Sequence, residues 1–419
     1  MGKNKKIISI LLIIIALLSI TTGSFLLFNN KDKESGNNEE PLPPAPDKDE
    51  YDGFTFSILK METSSSNLVY SPLSIKYALS MLNEGASGKT KEELDNLLKE
   101  LTITKYEKID KVLSLANSVF IRNTYKDFVK NEYIDTLKSK YNAEVKYDPF
   151  ESEINVNKWI EDNTLGIIKN MLKKETVVNP EVEMLLINAL AIDMGWDIEF
   201  SNENTTKDIF TKNDKQTMEV AMMSMTTKNE NVKYFKDDVY SVVSLPFKDY
   251  SGTQLEFIAV MPNNGNLDST VTSNNLNQSM NSLMSKLKPV ENAKLNIQLP
   301  RFDFEYETSL KQDLINLGVE KAFSSEADFT KISTRNLLVS DVLHKASIKA
   351  TEKGVKAAAA TVIIMKDNAA YIEEPEKIIQ LKYDKPFLFI IRDMNTKEVW
   401  FVGTVYEPQS WSEVAESYQ

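Results

Sequence analysis

Two serine–lysine spacings, Ser57-Ile-Leu-Lys60 and Ser285-Lys-Leu-Lys288, put an amine about one helical turn from a hydroxyl, where it could activate a nucleophile. Neither is joined by the Lys-Thr-Gly or Ser-Asp-Asn elements that complete such acyltransferase sites, so solvated helix faces are the preferred reading of both. The chain has one histidine, His344, and no cysteine. A Ser-His-Asp triad is therefore arithmetically possible, but a multi-histidine metal centre, a thiol nucleophile and cysteine metal sites are excluded. His344 lies in the strand-like run Leu337-Leu-Val-Ser-Asp-Val-Leu-His-Lys-Ala-Ser-Ile-Lys349, where a hydrogen-bonded core residue is preferred over a catalyst. Gly-x-Ser-x-Gly, a phosphate-binding glycine loop and His-Glu-x-x-His are all missing. Acidic residues are plentiful enough for a carboxylate-pair hydrolase, yet nothing positions such a pair. The expectation is a protein that is not an enzyme and uses no cofactor or metal.

The unusual chemistry is conformational. Glu352-Lys-Gly-Val-Lys-Ala-Ala-Ala-Ala-Thr-Val-Ile-Ile-Met365 has one charge-free face at period two: Val355, Ala357, Ala359, Thr361, Ile363 and Met365. It reads as a strand made for burial. The following Asp367-Asn-Ala-Ala-Tyr-Ile-Glu-Glu-Pro-Glu376 has the polar and proline punctuation of an exposed loop. A segment with both characters has two possible homes, one in solvent and one inside a sheet.

Of the 419 residues 42% are hydrophobic, which supports an ordered body with a core that needs no metal or disulfide. Composition shifts once, near residue 50. Lys3, Lys5 and Lys6 precede the apolar run Ile7 to Phe28, which is long enough to span a bilayer and has no clear small-x-small cleavage site. Residues 1–28 therefore read as a signal peptide or signal anchor, with the uncleaved anchor preferred. Residues 29–50 form a proline-rich tether, and the body lies on the outer face of the membrane or is secreted. The net charge of −12 becomes more negative once the three leading lysines are set aside, which argues against nucleic acid as a partner. The lysine-rich stretch Lys89 to Lys111 is interleaved with acids at helical spacing and reads as a solvated face.

The elements around the two-home segment are α+β in one domain, helices mainly first and strands mainly after. Leu68-Val-Tyr70 turns at Ser71-Pro72 into a central helix that is apolar on most sides. A second helix is expected to start with Thr90 capping toward Glu93, and a third over Asn155 to Leu172. Val112 to Ile121, Met184 to Trp196, Tyr240 to Phe247, Gln254 to Pro262 and Ala293 to Pro300 read as strands, and Ser309 to Leu317 as helix. Ile378 to Tyr383 is a strand, and Pro386 to Asp393 and Glu398 to Val405 form a hairpin around Asn395.

Five ordered blocks carry a resemblance to the serpin family of serine protease inhibitors over Tyr51 to Pro408. They are Asn67 to Ile75 with Gly85 to Thr90; Asn188 to Trp196 with Phe200; Leu299-Pro-Arg-Phe302; His344 followed by Glu352 to Thr361; and Asp384 to Ile391. The resemblance implies a serpin domain over 51–408 with a C-terminal tail at 409–419, about eight or nine helices, three β-sheets and a mobile reactive-centre loop. It implies suicide inhibition of a serine protease, with a cysteine protease as a further target. The protease forms a covalent acyl complex with the loop, which then inserts into the central sheet. By the same match the hinge comprises Glu352, Gly354, Val355, Ala357, Ala358, Ala359, Ala360 and Thr361. Ser71, Ser74, Asn188 and His344 form a latch on sheet opening, with Trp196 where the loop first enters. Val355 stands where the family usually has Thr or Ser, and Lys356 where an acid is common. Counting from Glu352 places the scissile bond at Asn368-Ala369. The loop is longer than usual, so Lys366, Asp367 and Tyr371 remain alternatives. The partners implied are a target protease and the membrane only through the N-terminal segment, the protein otherwise being a monomer. A non-inhibitory binding or chaperone-like relative is the alternative.

Overall fold

Pro72 opens the central helix Pro72–Glu84 because its fixed φ suits a first helical turn, and Ser71 caps that turn by accepting the Ser74 N–H at 3.0 Å. Ten of the helix's thirteen residues are buried, as its all-round apolar character predicts. The structure, a computed structural model, describes residues 51, 53–62, 65–98, 106–355 and 377–416. The apolar run and tether before Tyr51 lie outside these residues. No helix among the described residues is long and apolar enough to cross a membrane.

A seven-stranded antiparallel sheet runs in the order Leu68–Tyr70, Val399–Val405, Phe387–Asp393, Leu255–Pro262, Tyr240–Pro246, Lys233–Lys236, Lys288–Pro289. Its inner strands are continuous apolar runs because both faces are covered. Leu388, Ile390, Ile258 and Val242 join one core, while Phe387, Phe389, Phe257 and Val243 join another. A four-stranded sheet orders Ile378–Lys382, Lys294–Pro300, Thr217–Thr227 and Thr206–Thr211.

The remaining strands form two groups where a single third sheet is expected. Glu144–Asp148, Leu113–Arg122 and Met184–Ile192 make one group. Phe302–Ser309, Leu343–Thr351, Gly354–Val355 and Met194–Gly195 make the other. Met194–Gly195 directly continues Met184–Ile192 along the chain, so the two groups are halves of one sheet, divided along most of its length.

Two local expectations are corrected. The helix expected over Asn155 to Leu172 is Ile154–Asn163 only, because Leu165 and Gly166 take left-handed φ values of 56° and 68°. The chain beyond them becomes an irregular strap that includes the short helix Lys174–Val178 and runs on to Met184. Thr90 does not cap: the helix Gly88–Leu98 already includes it, and its buried hydroxyl accepts the Asp328 N–H at 2.9 Å. Glu93 likewise reaches away, accepting the N–H groups of Glu320 and Lys321 at 2.8 and 2.7 Å. The residues after Pro408 include the helix Trp411–Glu416, whose Val414 is buried. The Lys91–Asp95 pair at 3.0 Å lies on the solvated face expected there.

Beside the divided sheet two acids from distant segments meet. Asp313, on the helix Lys311–Asn316, is buried, while Glu62, ending the helix Ser57–Glu62, accepts the hydroxyls of Tyr306 and, at 3.4 Å, Thr308. Burial, then the Glu62 charge and its hydrogen bond, push the Asp313 carboxyl up to about 7. A carboxyl raised above its unfolded value binds extra proton in the fold, so it contributes stability at low pH that is lost as pH rises through about 7. Asp313→Asn should therefore melt close to the wild type at pH 5 and clearly above it at pH 8. Melting curves that shift in parallel at both pH values would contradict the shared proton.

Candidate functional site

The site is a slot one strand wide. Leu343–Thr351 is paired from Leu343 to Ala350 with Phe302–Ser309 on one side, but on the other only Ala350 and Thr351 pair, with Val355 and Gly354. Met184–Ile192 pairs with Leu113–Arg122 on its far side, and no ladder among the described residues joins it to Leu343–Thr351. Both nine-residue strands thus turn an edge of peptide groups toward a common gap. Gly354–Val355 runs antiparallel to both Leu343–Thr351 and Met194–Gly195, so the two banks run parallel to each other. The gap opens at its lower end into a cavity of about 190 Å3. A smaller one near Ile192 and Ile348, about 20 Å3, includes Val355.

The upper end is closed by the hinge. Trp196 lies flat on Phe247, centroids 4.8 Å apart, and meets Phe200 and Phe257 edge-on. Its indole N–H donates to the Thr351 carbonyl at 2.8 Å, and its backbone N–H to the Lys353 carbonyl at 3.0 Å. Glu352 is buried; its carboxylate accepts the Thr205 hydroxyl at 2.7 Å and faces the Arg301 guanidinium at 3.7 Å. Gly354 has φ 155°, and a Cβ there would stand 2.1 Å from the Met194 carbonyl oxygen. Only glycine allows the hinge to lie this close against the neighbouring strand. Val355 is buried and belongs to the core beneath the sheet.

Below the slot, the start of the central helix holds one bond to each bank. The Ser71 N–H donates to His344 Nε2 at 3.1 Å, on the Leu343–Thr351 bank. The Ser74 hydroxyl donates to Asn188 Oδ1, on the Met184–Ile192 bank. Asn188 Nδ2 donates in turn to Asn117 Oδ1 at 2.7 Å, and Asn117 Nδ2 to the Tyr141 carbonyl at 2.8 Å. Burial pushes His344 down to about 4, so at neutral pH the ring is uncharged and its Nε2 is free to accept. Ser71, Ser74, Asn188 and His344 are thus brought together, while Trp196 stands apart at the hinge end. Asn117 completes this network without having been singled out in the sequence, where it is one polar residue in a strand.

Neither Ser-x-x-Lys motif shows a serine–lysine hydrogen bond among the described residues. The Ser57 hydroxyl donates to the Phe54 carbonyl and Lys60 to Asn274, while the Ser285 hydroxyl donates to the Ser282 carbonyl. Among the described residues no group of His, Asp or Glu could hold a metal ion. Ala357, Ala358, Ala359, Ala360 and Thr361, and the bond candidates Lys366, Asp367, Asn368, Ala369 and Tyr371, lie outside the described residues.

An α+β domain of three sheets, one of them divided and hinged at one end, defines the class of protein. The chain belongs to the serpin family: the model described as serpin, serine protease inhibitor, matches residues 50–408. It is 30% identical to a serpin-like protein of Thermococcus kodakarensis, covering 85% of this chain and 84% of that one. It is 28% identical to neuroserpin of Gallus gallus, covering 85% and 89%. Among solved structures, the native state of the thermophilic serpin tengpin matches with TM-score 0.71 and 27% identity, covering 84% of this chain and 92% of that one. Serpins are in general protease inhibitors and not catalysts.

Proposed function

We propose that this protein is an extracellular suicide inhibitor of serine proteases, with cysteine proteases as a further target class. The observation that carries this is the slot: two parallel strand edges, unpaired toward each other, joined at one end by a hinge that leads directly into an alanine-rich segment. A target protease attacks a carbonyl carbon of the exposed loop; the peptide C–N bond breaks, and the leaving amine departs with a proton. The loop remains esterified to the protease and is free at its new end. It enters the slot as an added strand, drawing the protease along before water can hydrolyse the ester. Ser71, Ser74, Asn188 and His344 serve as the latch that sets how readily the banks part, and Trp196 holds the hinge until then. The apolar run at 7–28 and the tether at 29–50 fit a body exported and held at the outer face of the membrane, acting as a monomer.

The test is incubation with trypsin-like, chymotrypsin-like and subtilisin-like proteases, followed by a search for an SDS-resistant complex. The mass of the released C-terminal fragment should identify the bond cut, at Asn368-Ala369 or after Lys366, Asp367 or Tyr371. If every protease clips the loop and none is retained, the protein is a non-inhibitory member of its family.

A further inference from the structure

The strap between the helix Ile154–Asn163 and the strand Met184–Ile192 crosses the slot. On one bank, Lys345 Nζ donates to the Lys169 carbonyl at 3.1 Å, and Ile167 and Ile168 line the same small cavity as Ser347 and Ile348. On the other, Met171, Leu172 and Val182 cover the lower cavity opposite Ser74 and Leu79 of the central helix. A strand entering the slot must therefore fit between helix and strap.

One side chain gathers the far end of this strap. Arg122, the last residue of the strand Leu113–Arg122, donates to four carbonyls: Asn179 at 2.7 Å, Val182 at 2.9 Å, Pro149 at 3.3 Å and Val177 at 3.4 Å. Glu183 lies 3.6 Å from its Nε, its own backbone N–H donates to the Glu183 carbonyl at 2.9 Å, and its guanidinium lies 4.9 Å from the Phe150 ring centroid. Three of the four carbonyls belong to the strap. A planar fork with five N–H donors can hold several segments at once, which a lysine point charge cannot.

We propose that Arg122 is a positioning residue for strand insertion: it clamps the strap over the lower slot and sets the rate at which the segment after Gly354 can enter. This rests on the insertion mechanism above. The probe is a synthetic peptide of Gly354 to Asp367, added to the uncleaved full chain, with incorporation followed by the shift in melting temperature and in native-gel mobility. Arg122→Gln should incorporate the peptide about tenfold faster than the wild type, equivalent to a small fall in the insertion barrier. Arg122→Lys should match Arg122→Gln, because charge alone does not restore the fork. Lys345→Met loosens the strap at its other end, leaves Arg122 intact, and should also accelerate uptake. A wild type that takes up peptide at a rate unchanged by all three substitutions overturns the clamp while leaving insertion standing. A wild type that takes up none overturns both.

Discussion

Cleavage anywhere in the loop that leaves Gly354 to Met365 attached should raise the melting temperature on the order of 20 °C. An ordinary nick in a surface loop does the reverse, because it frees chain ends and lengthens the unfolded chain's options. Here the freed segment has a place to go. Each bank of the slot is a nine-residue strand, and among the described residues their facing edges make no ladder to each other; only Ala350 and Thr351 are paired on that side, with the hinge residues Val355 and Gly354. A new strand would pair on both sides. Roughly ten net hydrogen-bond equivalents at about 1 kcal/mol each, spread over a domain of this size, give a shift of that order. Apolar burial of Ile363 and Met365 toward the lower cavity adds to it. Calorimetry of the intact and cleaved protein checks this directly. A cleaved form melting at or below the intact one would mean that the slot is not the segment's second home.

Much of the framework was legible because its signals are local. Ser71-Pro72 marks a helix start by proline geometry and a hydroxyl cap, and both are found. Phe387 to Ile391 announces a strand buried on both faces because every residue of the run is apolar, and alternate residues do enter different cores. Signals that fail are those with a distant competitor. Thr90 and Glu93 have the spacing of a capping box, yet each is recruited by backbone from residues 320–328. The helix from residue 154 stops where Leu165 turns left-handed, although the sequence continues with apolar residues at helical spacing. The apolar residues beyond it serve the underside of the strap instead.

The candidate site divides along the same line. Gly354 entered the hinge through the family resemblance, and the structure supplies its physical reason, a carbonyl too close for any Cβ. The grouping of Ser71, Ser74, Asn188 and His344 came from family resemblance, since residues so far apart in sequence carry no local sign of meeting. Arg122 had no signal: an arginine at the end of a strand looks like a solvated edge until the strap folds back onto it. Nor could the slot be foreseen from pattern. Met184–Ile192 and Leu343–Thr351 are both strong strand sequences, and nothing in either says that it will leave an edge unpaired.

Ala359→Glu should convert the protein from a trap into a substrate, while Ala358→Glu should leave trapping largely intact. Val355 fixes the parity: its side chain is buried in the core beneath the sheet, so residues two and four further on face the same way once the segment lies in the slot. Ala359 then points toward the core and Ala358 toward the strap side. A carboxylate on the core side would be buried without a partner, at a cost of several kcal/mol. If about 3 kcal/mol of that cost is felt at the insertion barrier, insertion slows on the order of a hundredfold. Hydrolysis of the ester then wins, and the protease leaves active with the loop cut. Quantifying SDS-resistant complex against clipped protein for the wild type, Ala359→Glu, Ala358→Glu and the conservative Ala359→Ser resolves the point. Equal trapping by both glutamate variants would show that the segment does not enter the sheet with this parity, and the two-home interpretation of its charge-free face would fall with it.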